Sequence, residues 1–407
     1  MNALDTGDTG FLLISAALVM LMTPALGLFY GGMVRRKNVL GTIMQSFFIL
    51  GLVSIVWAVL GYSLAFAPGG NAFIGSTAWI GLRGVGQAPS DYAHTVPHLA
   101  FMVFQLMFAV ITPALITGAF AERMKFGGFL LFVVLWSLLV YSPICHWVWG
   151  KGGWIAQLGA LDFAGGTVVH ISSGAAALAA ALVVGRRRAG ADSMAPHNVP
   201  MTILGAAMLW FGWFGFNAGS ALTSAGLAAS AFVVTHLSAA AATLSWVLAE
   251  RLHRGQPTTL GAATGCVTGL VAITPAAGFV GPMAAIVIGL AAGALCYLAV
   301  QMKRPLGYDD SLDVVGVHGA GGVIGAIGTG VFATVSVNAA GADGALLGNP
   351  GLLVTQLVAV GATIGYSFVV TFGLLKIVDW TVGLRISQDH EEVGLDLSQH
   401  SESGYAW

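Results

Sequence analysis

Two stretches decide how this chain folds: Asp162-Phe-Ala-Gly-Gly-Thr-Val-Val-His170-Ile-Ser-Ser-Gly174 and Asp310-Ser-Leu-Asp-Val-Val-Gly-Val-His318-Gly-Ala-Gly-Gly322. Both contain Val-His-x-x-x-Gly, and both place an aspartate eight residues before the histidine. The remaining positions are mostly apolar or small, so each imidazole sits in a segment that reads as a helix buried in hydrocarbon. An ionisable group at that depth is costly and usually faces a cavity or pathway. That such a segment occurs twice points to an internal repeat, an arrangement common in polytopic membrane proteins.

The surrounding composition supports a membrane setting. Charged residues make up 8% of the 407-residue chain and hydrophobic residues 57%, whereas a soluble protein carries about a quarter charged. So few charges cannot cover a water-soluble surface over that much apolar material. Cys145, Cys266 and Cys296 are isolated, which excludes a disulfide scaffold. The chain has no CxxC, HExxH or Walker-type loop, so common metalloenzyme and nucleotide sites lack a basis. Sixteen basic and seventeen acidic residues nearly cancel, which argues against nucleic acid as a partner.

A helix needs about 20 mostly apolar residues to span the hydrocarbon. Eleven stretches qualify: 10–33, 42–66, 98–121, 126–148, 163–184, 200–221, 230–250, 258–280, 282–302, 312–333 and 350–376. The expected fold is therefore an all-α polytopic membrane protein of eleven transmembrane helices. Its membrane domain covers residues 1–380, with repeat one at about 10–184, repeat two at about 200–333 and an extra helix at 350–376. A tail, 381–407, follows. Fourteen of the sixteen basic residues fall in one set of loops, leaving only Arg83 and Lys151 in the other. The positive-inside rule makes the rich side cytoplasmic, with the N-terminus outside and the C-terminus inside. Span five then starts outside and span ten inside, giving an inverted five-plus-five repeat. The first apolar stretch lacks the basic flank of a secretory signal and reads as a retained helix. Most of the 57 glycines read as sites of close helix packing.

Of ten histidines, only His146, His170, His236 and His318 lie in or beside these spans. His236 reads as a structural hydrogen-bonder. The repeat-related pair reads as functional, because two neutral imidazoles can share one N–H···N bond and still present a donor and an acceptor to a channel.

Longer motifs carry a family likeness. Ala121-Glu-Arg123, Gly159-Ala-Leu-Asp-Phe-Ala-Gly-Gly-Thr-Val-Val-His170, Trp213-Phe-Gly-Phe-Asn-Ala-Gly-Ser220, Asp313-Val-Val-Gly-Val-His318-Gly and the tail motif Gly394-Leu-Asp-Leu-Ser-Gln-His400-Ser-Glu-Ser-Gly-Tyr405 resemble the ammonium transporter (Amt/Rh) family, in its bacterial Amt branch. The resemblance implies a homotrimer in the cytoplasmic (inner) membrane of a bacterium, surrounded by lipid, with one path per subunit and no cofactor. It implies an outer vestibule that recruits ammonium, or methylammonium as analogue, through Trp149, Ser220, Phe108 and Thr264. Thr264 departs from the serine frequent at that family position. It further implies a gate of Phe108 and Phe216, a pore lined by His170 and His318, and structural or electrostatic roles for Asp162 and Asp313, with Asp310 sharing the latter position. Gln105, one turn before Phe108, is a candidate lining residue, while Trp79, Trp147 and Trp154 read as interfacial anchors. By itself the polar tail reads as a mobile terminus; the resemblance implies instead that it packs beneath the pore and helps a cytoplasmic PII signalling protein block the exit. Competing functions are an Rh-like neutral gas channel, an ammonium sensor acting through its tail, and a membrane-embedded hydrolase, for which no nucleophile or metal triad is visible.

Overall fold

The computed structural model describes residues 4–188 and 195–405. It is almost wholly helical, and among the described residues ten helices are long and apolar enough to cross a membrane. Helix α1 is Thr6–Met33, α2 spans 39–66, α3 is His98–Ile116, and α4 spans 126–149. They are followed by α5 (Gly166–Val184), α6 (Val199–Gly219), α7 (Gly226–Arg254), α8 (Thr259–Ile273), α9 (Pro282–Leu306), α10 (Val315–Phe332) and α11 (Pro350–Thr381). Two short helices, α12 (Gln388–Val393) and α13 (Leu395–His400), lie in the tail.

Local chemistry sets the ends. Asp5, Asn198 and Thr258 each accept a hydrogen bond from the backbone N–H three residues on, and so cap α1, α6 and α8. Gly255 and Gly307 close α7 and α9 in the left-handed conformation. Helix α8 departs from the expected 258–280 stretch. It stops at Ile273, because Pro275 has no N–H with which to continue the hydrogen-bond ladder. Fifteen residues rise only about 22 Å, short of a bilayer core of about 30 Å. The chain continues through turns to Val280.

Helix α1 lies against α6, α7 against α8 and α9, and α11 against α5. The described chain is tied down near both of its ends. Near its start, Asp5 N–H donates to Thr95 O at 2.8 Å, beside a small antiparallel hairpin of Pro89–Ser90 and Ala93–Pro97. At the other end the tail is bound to a face formed by the start of α2 and the chain beyond α5. Gly41 N–H donates to the Asp396 carboxylate (2.8 Å), Leu395 N–H to the Asn38 side chain (2.8 Å), and Arg188 N–H to Glu391 (2.8 Å). Buried Arg123 organises this face by donating to the carbonyls of Ala119 and Gly185 at 2.9 Å each.

Candidate functional site

The site is built from the N-terminus of α5. Gly165 takes φ 116°, where only glycine is unstrained, and turns four successive backbone N–H groups onto Asp162. Its Oδ1 accepts from Gly165 (2.8 Å) and Gly166 (2.6 Å), and its Oδ2 from Thr167 (2.8 Å) and Val168 (3.2 Å), with the Thr167 hydroxyl as a fifth donor. A carboxylate so fully occupied is a fixed cap. Because these N–H groups serve Asp162, α5 begins only at Gly166, and His170 lies about one turn inside it. That turn, Gly166–Ile171, is π-helical, a local form frequent at functional sites.

Helix α10 repeats the device in a looser form. Val315 N–H donates to Asp310 Oδ2 at 2.7 Å, a π-helical turn covers Val315–Gly319, and His318 sits within it. The two aspartates expected at this start divide the work. Asp310 is the buried cap, whereas Asp313 adopts φ 64° and pairs with Lys303. Among the described residues Asp310 Oδ1 has no partner. Burial, reinforced by the charge of Asp313, pushes the Asp310 carboxyl up to about 6.

The two helices cross where neither carries a side chain. A Cβ on Gly174 would lie 2.3 Å from the Cα of Gly319, so this glycine permits the approach that brings the imidazoles together. Their Nδ1 atoms are 3.3 Å apart and their ring planes 23° from parallel. His170 is 1% exposed and His318 3%. With one Nδ1 donating to the other, the outward nitrogens remain for a guest, and His170 Nε2 has no partner among the described residues.

Phe216 lies 6.1 Å from the His170 ring, with Phe108 packed on it at 4.3 Å between centroids. On the histidine side is a void of about 10 Å³, walled by Met22, Leu26, Ile111, Leu115, Val267 and Trp213 among others. That is the lower limit for holding one water-sized molecule. On the other side is a cavity of about 340 Å³ lined by Phe104, Gln105, Phe108, Trp149, Asp162 and Ser220 among others. Trp149 meets Phe108 edge-on at 5.8 Å and donates its indole N–H to Asp162 O at 2.8 Å. The Ser220 hydroxyl donates to Phe216 O at 2.8 Å, which leaves its lone pairs as acceptors. Gln105 Oε1 is buried and without a partner among the described residues.

Three of the four expected recruiting residues therefore share one cavity, and the structure does not bring Thr264 to it. Its hydroxyl turns back to Leu260 O at 2.9 Å, near the start of α8, while the opposite end of that helix approaches the cavity: Phe163 N–H donates to Pro275 O at 3.1 Å. Ten residues of helix separate Thr264 from Thr274, about 15 Å at 1.5 Å per residue. Trp147 is also corrected. It is 7% exposed and donates to Phe73 O at 2.8 Å, so it is packed against the loop after α2 instead of anchoring at lipid. His146 is bound by two backbone carbonyls, Ala65 and Asn71, at 2.8 Å each. Sequence reasoning missed Trp213, whose ring stacks on His170 at 5.5 Å. Its i, i+3 spacing from Phe216 could have placed both on one helix face.

The chain from residue 10 to residue 405 matches the model of the Ammonium Transporter Family. The chain belongs to that family. It is similar to the ammonium transporter of Bacillus subtilis, at 57% identity over 99% of each chain, and to a putative ammonium transporter of Methanothermobacter thermautotrophicus, at 50% over 99% of each. Among solved structures it resembles Saccharomyces cerevisiae Mep2, with a TM-score of 0.90, 38% identity and coverage of 95% of this chain and 88% of that one. It also resembles a sensor Amt protein, with a TM-score of 0.89, 28% identity and coverage of 97% and 98%. The Bacillus and Methanothermobacter relatives are named as ammonium transporters and one of the solved structures as a sensor, and none of the four is named as an enzyme.

Proposed function

We propose that the protein moves ammonium nitrogen across a bacterial inner membrane, taking up ammonium at the 340 Å³ cavity and passing uncharged ammonia along the twin histidines. The observation that carries this reading is the change in size and polarity along one line. A roomy cavity with free acceptors leads through the Phe108–Phe216 pair to an apolar space for one small molecule beside two imidazoles. In the cavity the aromatic ring of Trp149 attracts a cation, worth roughly 0.5–2 kcal/mol depending on desolvation. The acceptors on Ser220 and Gln105 replace part of its water shell. Beyond the phenylalanines a bare cation would lose its hydration for an apolar wall, a penalty far larger than these contacts supply. Ammonia avoids that penalty, and the imidazoles offer it one hydrogen bond at a time. A potassium ion has no proton to leave behind.

In this reading the chain has eleven spans in two inverted halves of five, with the N-terminus and the large cavity outside and the tail inside. Pro275 shortens the eighth span without removing it. The functional unit is a homotrimer, and residues 381–407 form a cytoplasmic tail whose partner is a PII-type signalling protein. The close fit to a sensor Amt protein and the binding of the tail to the starts of α2 and α4 and to the chain beyond α5 favour a secondary signalling role. The test of transport is methylammonium uptake by His170→Ala and His318→Ala in the full chain. Each is expected to lose roughly tenfold or more of the rate, since removal of a group acting on the moving species is a direct transition-state loss, while membrane protein levels hold. Unchanged uptake in both would reduce the pair to packing.

A further inference from the structure

Helix α11 is not a passive outer layer. Gln356 on it is 2% exposed, and its side-chain amide is fully engaged. Oε1 accepts from Leu161 N–H at 2.8 Å, and Nε2 donates to Leu161 O at 2.8 Å and to Ala326 O of α10 at 3.2 Å. One amide thus pairs with both backbone groups of a single residue, as a neighbouring strand would, in a segment that has no ladder of its own. Leu161 directly precedes Asp162, whose carbonyl holds Trp149 and whose carboxylate caps α5. Three turns further along α11, Ser367 donates to Ser172 O at 2.6 Å, just beyond His170. The segment from Leu161 to Ser172 is therefore held near each end by the same helix.

We propose that Gln356 is a positioning residue for the outer cation site, fixing the Leu161–Asp162 peptide and through it the orientation of Trp149. This rests on the transport reading above, in which Trp149 recruits the substrate. Neither leucine nor glutamate can replace the amide. Leucine abandons the Leu161 N–H and C=O and the Ala326 carbonyl together. An ionised glutamate keeps an acceptor but has no donor. Because Trp149 touches the substrate and Gln356 does not, loss of Gln356 acts on capture ahead of the rate through the bore.

The experiment is a double-variant cycle in the full-length protein, with methylammonium uptake resolved into KM and maximal rate and protein quantified in the membrane. Gln356→Leu is expected to raise KM about fivefold or more with the maximal rate within about twofold, the mark of lost binding ahead of the chemistry. Combined with Trp149→Leu it is expected to add little, because the two side chains act through one contact chain. A KM unchanged by Gln356→Leu, or penalties that multiply in the double variant, would overturn the proposal. Gln356→Asn, which keeps the amide but draws it back by one methylene, decides the matter if the leucine variant fails to reach the membrane: a raised KM supports the assignment and an unchanged KM overturns it. If Trp149→Leu itself leaves KM unaltered, the recruiting role of the cavity fails. A shift there with none at Gln356 sinks only the positioning role.

Discussion

The segments 162–174 and 310–322 share a motif and a fold, yet they treat their aspartates very differently. Asp162 receives five hydrogen bonds and has no capacity to spare. Asp310 accepts from Val315 N–H at Oδ2 and leaves Oδ1 without a partner among the described residues. Each aspartate starts a π-helical turn that carries a histidine to the same crossing. Only the first also lines the large cavity and shares its residue with the indole of Trp149. The repeated sequence supplies the scaffold twice, while the neighbours determine which copy is locked. The locked copy is the one that, in the proposed function, holds the cation-recruiting edge in place. The looser copy needs only to start its helix.

The largest effect that would sharpen this contrast is at Asp162. Asp162→Asn replaces one acceptor oxygen by an NH₂ that faces backbone donors, so several buried N–H groups lose their partner at once. Uptake is expected to fall by about 100-fold or more, with reduced protein in the membrane, since each buried group left unpaired costs on the order of 1–3 kcal/mol. Near-normal uptake and abundance would erase the distinction between the two segments.

A smaller effect is expected at Asp310, and of the opposite sign. A carboxyl raised to about 6 contributes stability that is fully present below its unfolded value near 4 and is lost as pH rises through about 6. The wild-type protein in detergent should therefore gain thermal stability as pH falls from 7 towards 5. Asp310→Asn mimics the neutral form and should keep that gain at pH 7, with a midpoint higher by on the order of a few degrees and a flatter pH profile. Uptake is expected to stay within about threefold of wild type, because the cap bond from Val315 can still be accepted. A destabilised Asp310→Asn protein at pH 7 would show that the charge itself is needed at the start of α10.

Much of this was legible in the chain. Long apolar runs located the helices, and the repeated Asp-x₇-His spacing singled out the two imidazoles before any coordinate. Phe108, Phe216 and Trp149 stood out only through the family likeness, since one phenylalanine in an apolar helix reads like another. Other features stayed hidden because they depend on partners far away in the chain. The division of labour between Asp310 and Asp313 follows from where Lys303 lies, and the task of Gln356 from a loop 195 positions earlier. Thr264 was misplaced for a different reason. Pro275 was visible as a helix breaker, but a stretch measured only by its hydropathy does not show at which end of a helix a hydroxyl will find the cavity.

The claim on which the account depends is that the histidine bore passes an uncharged amine and rejects a bare cation of similar size. Proteoliposomes of the full-length protein, loaded in turn with opposing ammonium and potassium gradients, measure it most directly through combined flux and current recordings. Ammonium nitrogen should cross readily, with no potassium flux above protein-free vesicles even when potassium is in about 100-fold excess, as expected from the penalty on a desolvated ion. Potassium flux comparable to that of ammonium, abolished together with it by His170→Ala, would mean that the intact cation traverses the bore and would contradict the account.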